Sequence, residues 1–82
     1  MDLTIIIPVF NEVESITPLL DEIAAQFDAT GAYEVIVVDD GSIDGTPAVL
    51  QAARQSHPQL RVLRHRERYG QSMAIASGVL AA

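Results

Sequence analysis

Two continuous apolar runs, with a helix-like segment between them, most constrain what this chain can fold into. Leu3–Val9 and Tyr33–Val38 are rich in isoleucine and valine and do not alternate between apolar and polar residues. Such runs are typical of strands that are buried on both faces. Between them, apolar residues recur every three or four positions, which predicts an amphipathic helix. Its apolar face comprises Ile16, Leu19, Leu20, Ile23, Ala24 and Phe27.

The rest of the chain continues this alternation of strand and helix. Gly31 is expected to end the first helix and reverse the chain. Thr46-Pro47 predicts a second helix start, because a threonine oxygen can cap free amides and proline suits the first helical position. That helix should end at about Ser56, and Leu60–His65 should form a third, more polar strand. Gly70 then introduces a helix of small and apolar residues, so the predicted order is βαβαβα.

This order predicts an α/β fold, a parallel sheet with right-handed crossovers and helices on both faces. In such sheets, ligands bind outside the carboxyl ends of the strands, beside the point where the strand order reverses. Three segments follow predicted strand ends: Pro8–Glu12, Asp39–Gly45 and His65–Gly70. The binding residues are therefore expected in these three segments.

The length of the chain indicates a single, partial domain. Its 82 residues are 49% hydrophobic, whereas a chain this short buries only about 60% of its unfolded surface. The last apolar helix pattern runs to Ala82 without a cap, so we expect residues 1–82 to be a truncated domain. An exposed parallel sheet edge is then expected to favour self-association into a homo-oligomer.

Composition excludes several classes of function. The net charge of -6 disfavours general nucleic-acid binding, and the absence of cysteine excludes disulfides and thiolate metal sites. No apolar run approaches the roughly 20 residues that span a bilayer. Met1-Asp2 lacks the basic start of an export signal. Together these features predict a cytoplasmic protein.

Asp39 and Asp40 end the second apolar run, just before Gly41. Two carboxylates at the end of a buried strand are costly unless they have partners. They could accept hydrogen bonds from a nucleobase or a ribose hydroxyl. The alternative is that one aspartate caps the turn Gly41–Gly45 while the other is solvated.

The segment after the first strand carries a second set of candidate residues. Pro8 is rigid, Phe10 offers a ring to lie against a base, and Asn11 and Glu12 can reach hydroxyl groups. The alternative is a helix entry, with Asn11 as a turn residue, Glu12 near the positive end of the helix dipole and Phe10 in the core.

A cluster of arginines runs from the third predicted strand into the third segment. Arg66 or Arg68 could meet a diphosphate, and the helix start at Gly70 could offer backbone N–H groups to the same anion. Arg61 and Arg64 are better interpreted as charges that keep a strand edge soluble.

Other nucleotide and metal motifs are missing. Ser42–Thr46 lacks the lysine and the glycine spacing of a phosphate loop, and no Gly-x-Gly-x-x-Gly follows the first strand, which disfavours a dehydrogenase. His57 and His65 have no partner at ligand spacing, so neither is assigned a role.

Three motifs in order, Ile5–Glu12, Val37–Thr46 and Tyr69–Ser72 with Ala74 and Gly78, together resemble the family 2 glycosyltransferases. The resemblance covers essentially the whole chain. Tyr69–Ser72 is most similar to the dolichol- and polyprenyl-phosphate sugar transferases.

This resemblance implies the nucleotide-binding half of a GT-A, Rossmann-like fold that binds a UDP- or GDP-sugar. Phe10 stands where tyrosine is commoner in the family, so a contact through a phenol hydroxyl is lost and stacking is kept. The implied roles are that Pro8, Phe10 and Glu12 flank the base and ribose, Val38 contacts the base, and Asp40 hydrogen-bonds it with Asp39 in support.

The resemblance also implies chemistry that these residues do not carry. Family members hold Mg²⁺ or Mn²⁺ with a later Asp-x-Asp motif and use a later acidic base, both of which would lie beyond Ala82. The full-length enzyme would then transfer the sugar with inversion to an acceptor such as a polyprenyl phosphate or a saccharide, at the cytoplasmic face of a membrane. Residues 1–82 alone are predicted to have no catalytic residue and no transferase activity.

Two other classes of function stay open. One is a stand-alone nucleotide-binding or interaction module without catalysis. The other is a receiver or flavodoxin-like signalling domain. This class is disfavoured because receivers carry their acidic pair after the first strand, whereas Asp39 and Asp40 follow the second strand here.

Overall fold

The computed structural model describes residues 3–30 and 32–82 and confirms the βαβαβα order. The expected role of Gly31 lies outside the described residues. A short 3₁₀ turn, Asp28–Thr30, follows the first helix. The main elements are β1 Leu3–Val9, α1 Ile16–Phe27, β2 Tyr33–Asp39, α2 Thr46–Ser56, β3 Leu60–Arg64 and α3 Gln71–Ala81.

The three strands form one parallel sheet in the order β1-β2-β3. Leu3 pairs with Tyr33 at the start of β1, and Val35 pairs with Leu60 at the start of β3. Strand β2 is buried along its whole length because it has a strand on each side and helices on both faces. Strand β1 is mostly half-buried, since it lies at an edge of this sheet.

Two apolar clusters cover the two faces of the sheet. On one face, Ile16 and Leu20 of α1 and Leu50 of α2 pack against Val35 and Val37. On the other face, α3 packs through Ala74 against the alternate β2 residues, Ile36 and Val38. The prediction of a parallel sheet with helices on both faces is confirmed.

The carboxyl ends of the strands meet at one edge of the sheet, where the three predicted segments contact one another. The Asp40 N–H donates to the Val9 carbonyl at 2.8 Å, and the His65 N–H donates to the Asp39 carbonyl at 2.9 Å. The strand pairing therefore continues one residue into each loop and fixes these loops side by side.

The start of α2 differs from the prediction. Gly45 is the N-cap residue, and the Thr46 side chain makes no cap. Thr46 is fully buried, and its hydroxyl accepts the Glu12 N–H at 2.9 Å, while its own N–H donates to the Asp44 carboxylate at 2.8 Å. The Thr46 hydroxyl thus joins the first loop to α2, and Asp44 satisfies an amide at the helix start.

None of the helices within residues 3–30 and 32–82 has the length and apolar character needed to cross a membrane.

Candidate functional site

A cleft of about 230 Å³ opens at the carboxyl edge of the sheet. It combines an aromatic ring, a guanidinium group and two carboxylates with apolar backbone and side-chain surface. Its lining residues are Pro8, Val9, Phe10, Glu12, Asp40 and Arg68. Five of these six, all but Val9, were predicted as site residues from the sequence.

Asn11 has the geometry of a turn residue. Its backbone is left-handed, with φ of 53°, a conformation that asparagine tolerates better than most residues. Its N–H donates to the Ser42 hydroxyl at 2.9 Å, and its side-chain oxygen accepts the Ile43 N–H at 2.9 Å. The Asn11 side chain therefore ties the first loop to the second and is not part of the cleft wall.

Asp39 is fully buried and caps the turn that follows β2. Its Oδ1 accepts the Ser42 N–H at 3.0 Å, as the structural alternative for this pair required. Its Oδ2 has no hydrogen-bond partner among the residues that the structure describes, and the Nε atom of Arg64 lies 3.8 Å away. Asp39 thus holds the turn after β2 and does not line the cleft.

Asp40 lines the cleft and organises the third segment. Its Oδ1 accepts the Tyr69 N–H at 2.9 Å and contacts the Nδ1 of His65 at 2.8 Å, while its Oδ2 accepts the Gly70 N–H at 2.7 Å. Burial alone would raise the pKa of Asp40, but the hydrogen bonds from Tyr69, His65 and Gly70 outweigh burial and lower that pKa below its ordinary value. Asp40 is therefore an ionised acceptor near neutral pH.

His65 is a site residue that the sequence analysis missed. Its ring bridges two elements, with Nδ1 at 2.8 Å from Asp40 and Nε2 at 2.9 Å from the Ser77 hydroxyl on α3. Tyr69 packs edge-on against the ring, with the centroids 5.2 Å apart. The available signal was positional: His65 directly follows β3, so it lies at the same sheet edge as Asp40.

Arg68 and Phe10 meet at the mouth of the cleft. The Arg68 guanidinium carbon lies 4.2 Å from the centroid of the Phe10 ring, within cation–π distance. The two residues were assigned separately to a diphosphate and a base, and the structure places them against each other. Arg66 is exposed and does not line the cleft.

Two predicted residues have a different environment from the one expected. The side chain of Val38 is fully buried in the cluster beneath α3, because alternate β2 residues point to that face, so this side chain does not line the cleft. The Gly70 N–H, expected to meet an anion, donates to Asp40 instead.

The chain does not provide a metal site within its described parts. Residues 3–30 and 32–82 contain no group of three or more carboxylate or histidine side chains that could hold an ion together. Three of the acceptor positions of Asp40 are occupied by protein donors. We therefore assign no metal ligand and no metal-dependent step to these residues.

The sheet and its helices superpose on solved glycosyltransferases, which defines the class of the protein as an α/β domain of the GT-A type. The superposition with S. aureus TarS has a TM-score of 0.87 at 28% identity over 100% of this chain and 24% of that chain. A mannosyltransferase from Pyrobaculum calidifontis, solved with GDP-Man and Mn²⁺, gives a TM-score of 0.74 at 30% identity over 98% of this chain and 24% of that one.

The chain belongs to glycosyl transferase family 2, whose model matches residues 4–82. It is 35% identical to dolichyl-phosphate beta-glucosyltransferase ALG5C of Trichomonas vaginalis, over 94% of this chain and 25% of that protein. It is 45% identical to undecaprenyl-phosphate 4-deoxy-4-formamido-L-arabinose transferase of Sodalis glossinidius, over 92% of this chain and 24% of that protein. The chain thus spans about a quarter of the length of these relatives.

Proposed function

We propose that this chain forms the nucleotide-binding part of a glycosyltransferase that moves a sugar from UDP or GDP to an acceptor with inversion. The observation that supports this most directly is the cleft at the carboxyl edge of the sheet. There Phe10, Arg68 and Asp40 combine an aromatic surface, a cation and an acceptor carboxylate in a member of glycosyl transferase family 2.

The cleft has the chemistry of a site for a base and ribose. Pro8 and Phe10 supply apolar surface for a flat ring, and Asp40 supplies an ionised acceptor for a ring N–H. Glu12 is exposed at the entrance, where its carboxylate can accept hydrogen bonds from ribose hydroxyls. The volume of about 230 Å³ is below the roughly 300 Å³ at which small-molecule pockets begin, which suits part of a nucleotide sugar and not the whole.

Arg68 is the cation placed to reach a diphosphate. Its guanidinium presents planar donors that match phosphate oxygens, and the side chain is exposed and held by the Phe10 ring at one face. We expect Arg68 to keep its place beside Phe10 in the absence of ligand and to contact the base or the diphosphate when a nucleotide binds.

The names of the relatives support a lipid-phosphate acceptor. A dolichyl-phosphate and an undecaprenyl-phosphate transferase both match this chain, so we propose a polyprenyl phosphate acceptor, with a saccharide as the alternative. The whole enzyme would then work at the cytoplasmic face of a membrane.

A divalent ion is part of the proposed reaction but not of these residues. The mannosyltransferase structure contains Mn²⁺, and we propose Mg²⁺ or Mn²⁺ for the whole enzyme, where it would stabilise charge on the leaving diphosphate. Here the described residues bind and orient the nucleotide, and none acts as an acid, base or nucleophile toward the sugar.

Calorimetric titration of the 82-residue protein with UDP and with GDP, each with Mg²⁺, tests this proposal. One of them should bind, and Arg68→Ala should weaken that binding about tenfold or more, because a charged hydrogen bond contributes about 1.5–3 kcal/mol. Arg54→Ala, an exposed arginine on α2 outside the cleft, is the matched control and should bind as the wild type does. Failure of both nucleotides to bind, or equal weakening by both substitutions, would contradict the proposal.

The same protein should not turn over a UDP- or GDP-sugar in the presence of a polyprenyl phosphate. Release of UDP or GDP above the rate without acceptor would show that these residues contain catalytic groups that we have not assigned.

A further inference from the structure

We infer, on the basis of the proposed function, that this cleft selects a uracil base and rejects guanine. The reason is the hydrogen bonding of Asp40, which leaves a single acceptor position for a ligand. His65 occupies a position that a guanine would need.

The acceptor positions of Asp40 can be counted. An ionised carboxylate accepts about four hydrogen bonds, two at each oxygen. The Tyr69 N–H and the His65 Nδ1 fill both positions of Oδ1, and the Gly70 N–H fills one position of Oδ2. No described residue fills the remaining position on Oδ2, and since Asp40 lines the cleft we assign this position to a base.

The two candidate bases differ in how many donors they present to a carboxylate. Uracil presents one ring N–H between two carbonyl groups, which a single acceptor satisfies. Guanine presents a ring N–H beside an amino group, and this pair of donors matches both oxygens of a carboxylate. With Oδ1 saturated, a guanine amino group at Asp40 would be buried without an acceptor, and an unpaired buried donor is costly.

Arg68 fits uracil but does not separate it from guanine, since both bases carry a carbonyl next to the ring N–H. Its guanidinium only donates hydrogen bonds, and it lines the same cleft as Asp40. A carboxylate acceptor together with a guanidinium donor complements an edge on which an N–H lies next to carbonyl oxygens. Cytosine, whose ring nitrogen at that position is an acceptor, would set a lone pair against the Asp40 carboxylate.

His65 is the positioning residue in this arrangement. Because ionised Asp40 can only accept, the proton between them belongs to Nδ1 of His65. The opposite ring nitrogen contacts the Ser77 hydroxyl of α3, so both nitrogens are engaged and the ring is held in place. The side chain is 15% exposed, which leaves it little freedom to release Oδ1 to a ligand.

The test compares the affinities of the 82-residue protein for UDP, GDP and N3-methyl-UDP at one Mg²⁺ concentration. UDP should bind about tenfold or more tightly than GDP, and methylation at N3 should weaken the binding of UDP by a similar factor. The reason is that N3 methylation removes one charged hydrogen bond, and guanine leaves one donor without its acceptor. Similar affinities for UDP and GDP, or no effect of N3 methylation, would overturn base selection while leaving the proposed nucleotide site intact. Binding of none of the three would overturn both.

His65→Ala tests the role of His65 separately. Releasing Oδ1 should narrow the ratio of UDP to GDP affinity toward one, and a purely structural role would weaken both nucleotides without changing that ratio. His57→Ala is the matched control, because His57 is also 15% exposed and pairs with Asp21 outside the cleft. The ratio of UDP to GDP affinity in this variant should equal that of the wild type. If the ratio of UDP to GDP affinity is unchanged in His65→Ala, His65 is not the positioning residue. The comparison of UDP, GDP and N3-methyl-UDP on the wild type tests base selection even if that variant does not fold.

Discussion

Replacing Gly41 with alanine should disrupt the cleft by displacing the loop that carries Arg68. Gly41 has a left-handed backbone, with φ of 78°, and directly follows Asp40. A Cβ atom built there would lie 2.5 Å from the Glu67 carbonyl carbon and 2.6 Å from the Arg68 nitrogen. Both are backbone atoms, so no side-chain rotation can relieve the clash.

The cost of this substitution has two parts. The left-handed backbone costs an L-residue roughly 1–2 kcal/mol. The neighbouring backbone must also retreat by about 1 Å to reach ordinary van der Waals contact, which begins at 3.4 Å. That movement stretches the bonds from the Tyr69 and Gly70 amides to Asp40, and losing one charged hydrogen bond costs about 1.5–3 kcal/mol. We therefore expect Gly41→Ala to lower the free energy of unfolding by about 2.5–5 kcal/mol.

Urea denaturation followed by circular dichroism measures this cost. Gly70→Ala is the control, because Gly70 also has a positive φ, 101°, but a Cβ there meets nothing within 4 Å. With φ of 101° and ψ of 160°, Gly70 lies in a different region that only glycine adopts readily, so the variant should show that backbone cost alone, about 1–3 kcal/mol. If Gly41→Ala is no less stable than Gly70→Ala, or if its Tyr69 and Gly70 amide resonances do not move, the close approach of the two loops is not what Gly41 provides.

Three further predictions concern the rest of the molecule. Gly78→Ala should lower the free energy of unfolding by about 1–3 kcal/mol through overpacking, since its Cβ would lie 2.5 Å from Ile6 Cγ2. Adding Ile6→Ala to this variant should recover part of that loss in urea denaturation. If the effects of the two substitutions are simply additive, the two residues do not make this contact. Although burial opposes it, hydrogen bonding holds the pKa of Asp40 below its ordinary value of about 3.9. The stability that ionised Asp40 contributes is therefore fully present above that pH and is lost as the pH falls through the lower pKa of the folded protein. The acid unfolding of Asp40→Asn should lack this component, and pH profiles identical to those of the wild type would refute the prediction. The protein should self-associate through exposed apolar surface that includes Val79 and Leu80, and a monomeric mass by light scattering at high concentration would count against this.

The elements of the fold were predictable because local signals agreed with the tertiary structure. The apolar run at 33–38 is long enough to indicate a central strand, and the predicted strand is only one residue shorter than β2. The spacing of Ile16, Leu20 and Ile23 matches the face of α1 that packs on the sheet. Hydrophobic periodicity records which face is buried, so it fixes element type and approximate bounds.

The contacts within the cleft were not predictable in the same way. Asp40 meets the His65 ring 25 residues further along the chain, and the Glu12 N–H meets Thr46 34 residues away. Neither pair has a local spacing pattern, since each depends on strand register and on the conformation of two loops. For the same reason, Thr46 was interpreted as a local cap although its hydroxyl serves another loop.

The most direct test of the nucleotide-binding account is an NMR titration of the ¹⁵N-labelled 82-residue protein with UDP and Mg²⁺. A nucleotide bound in the cleft should cause saturable shifts at the amides of residues 9–12, 40–42 and 68–70, which line the cleft or adjoin residues that do. Shifts confined to the surface groove between α1 and α2, near Thr17 and Ala53, would contradict nucleotide binding at the cleft. So would a well-dispersed spectrum that shows no shifts with UDP or, in a parallel titration, with GDP.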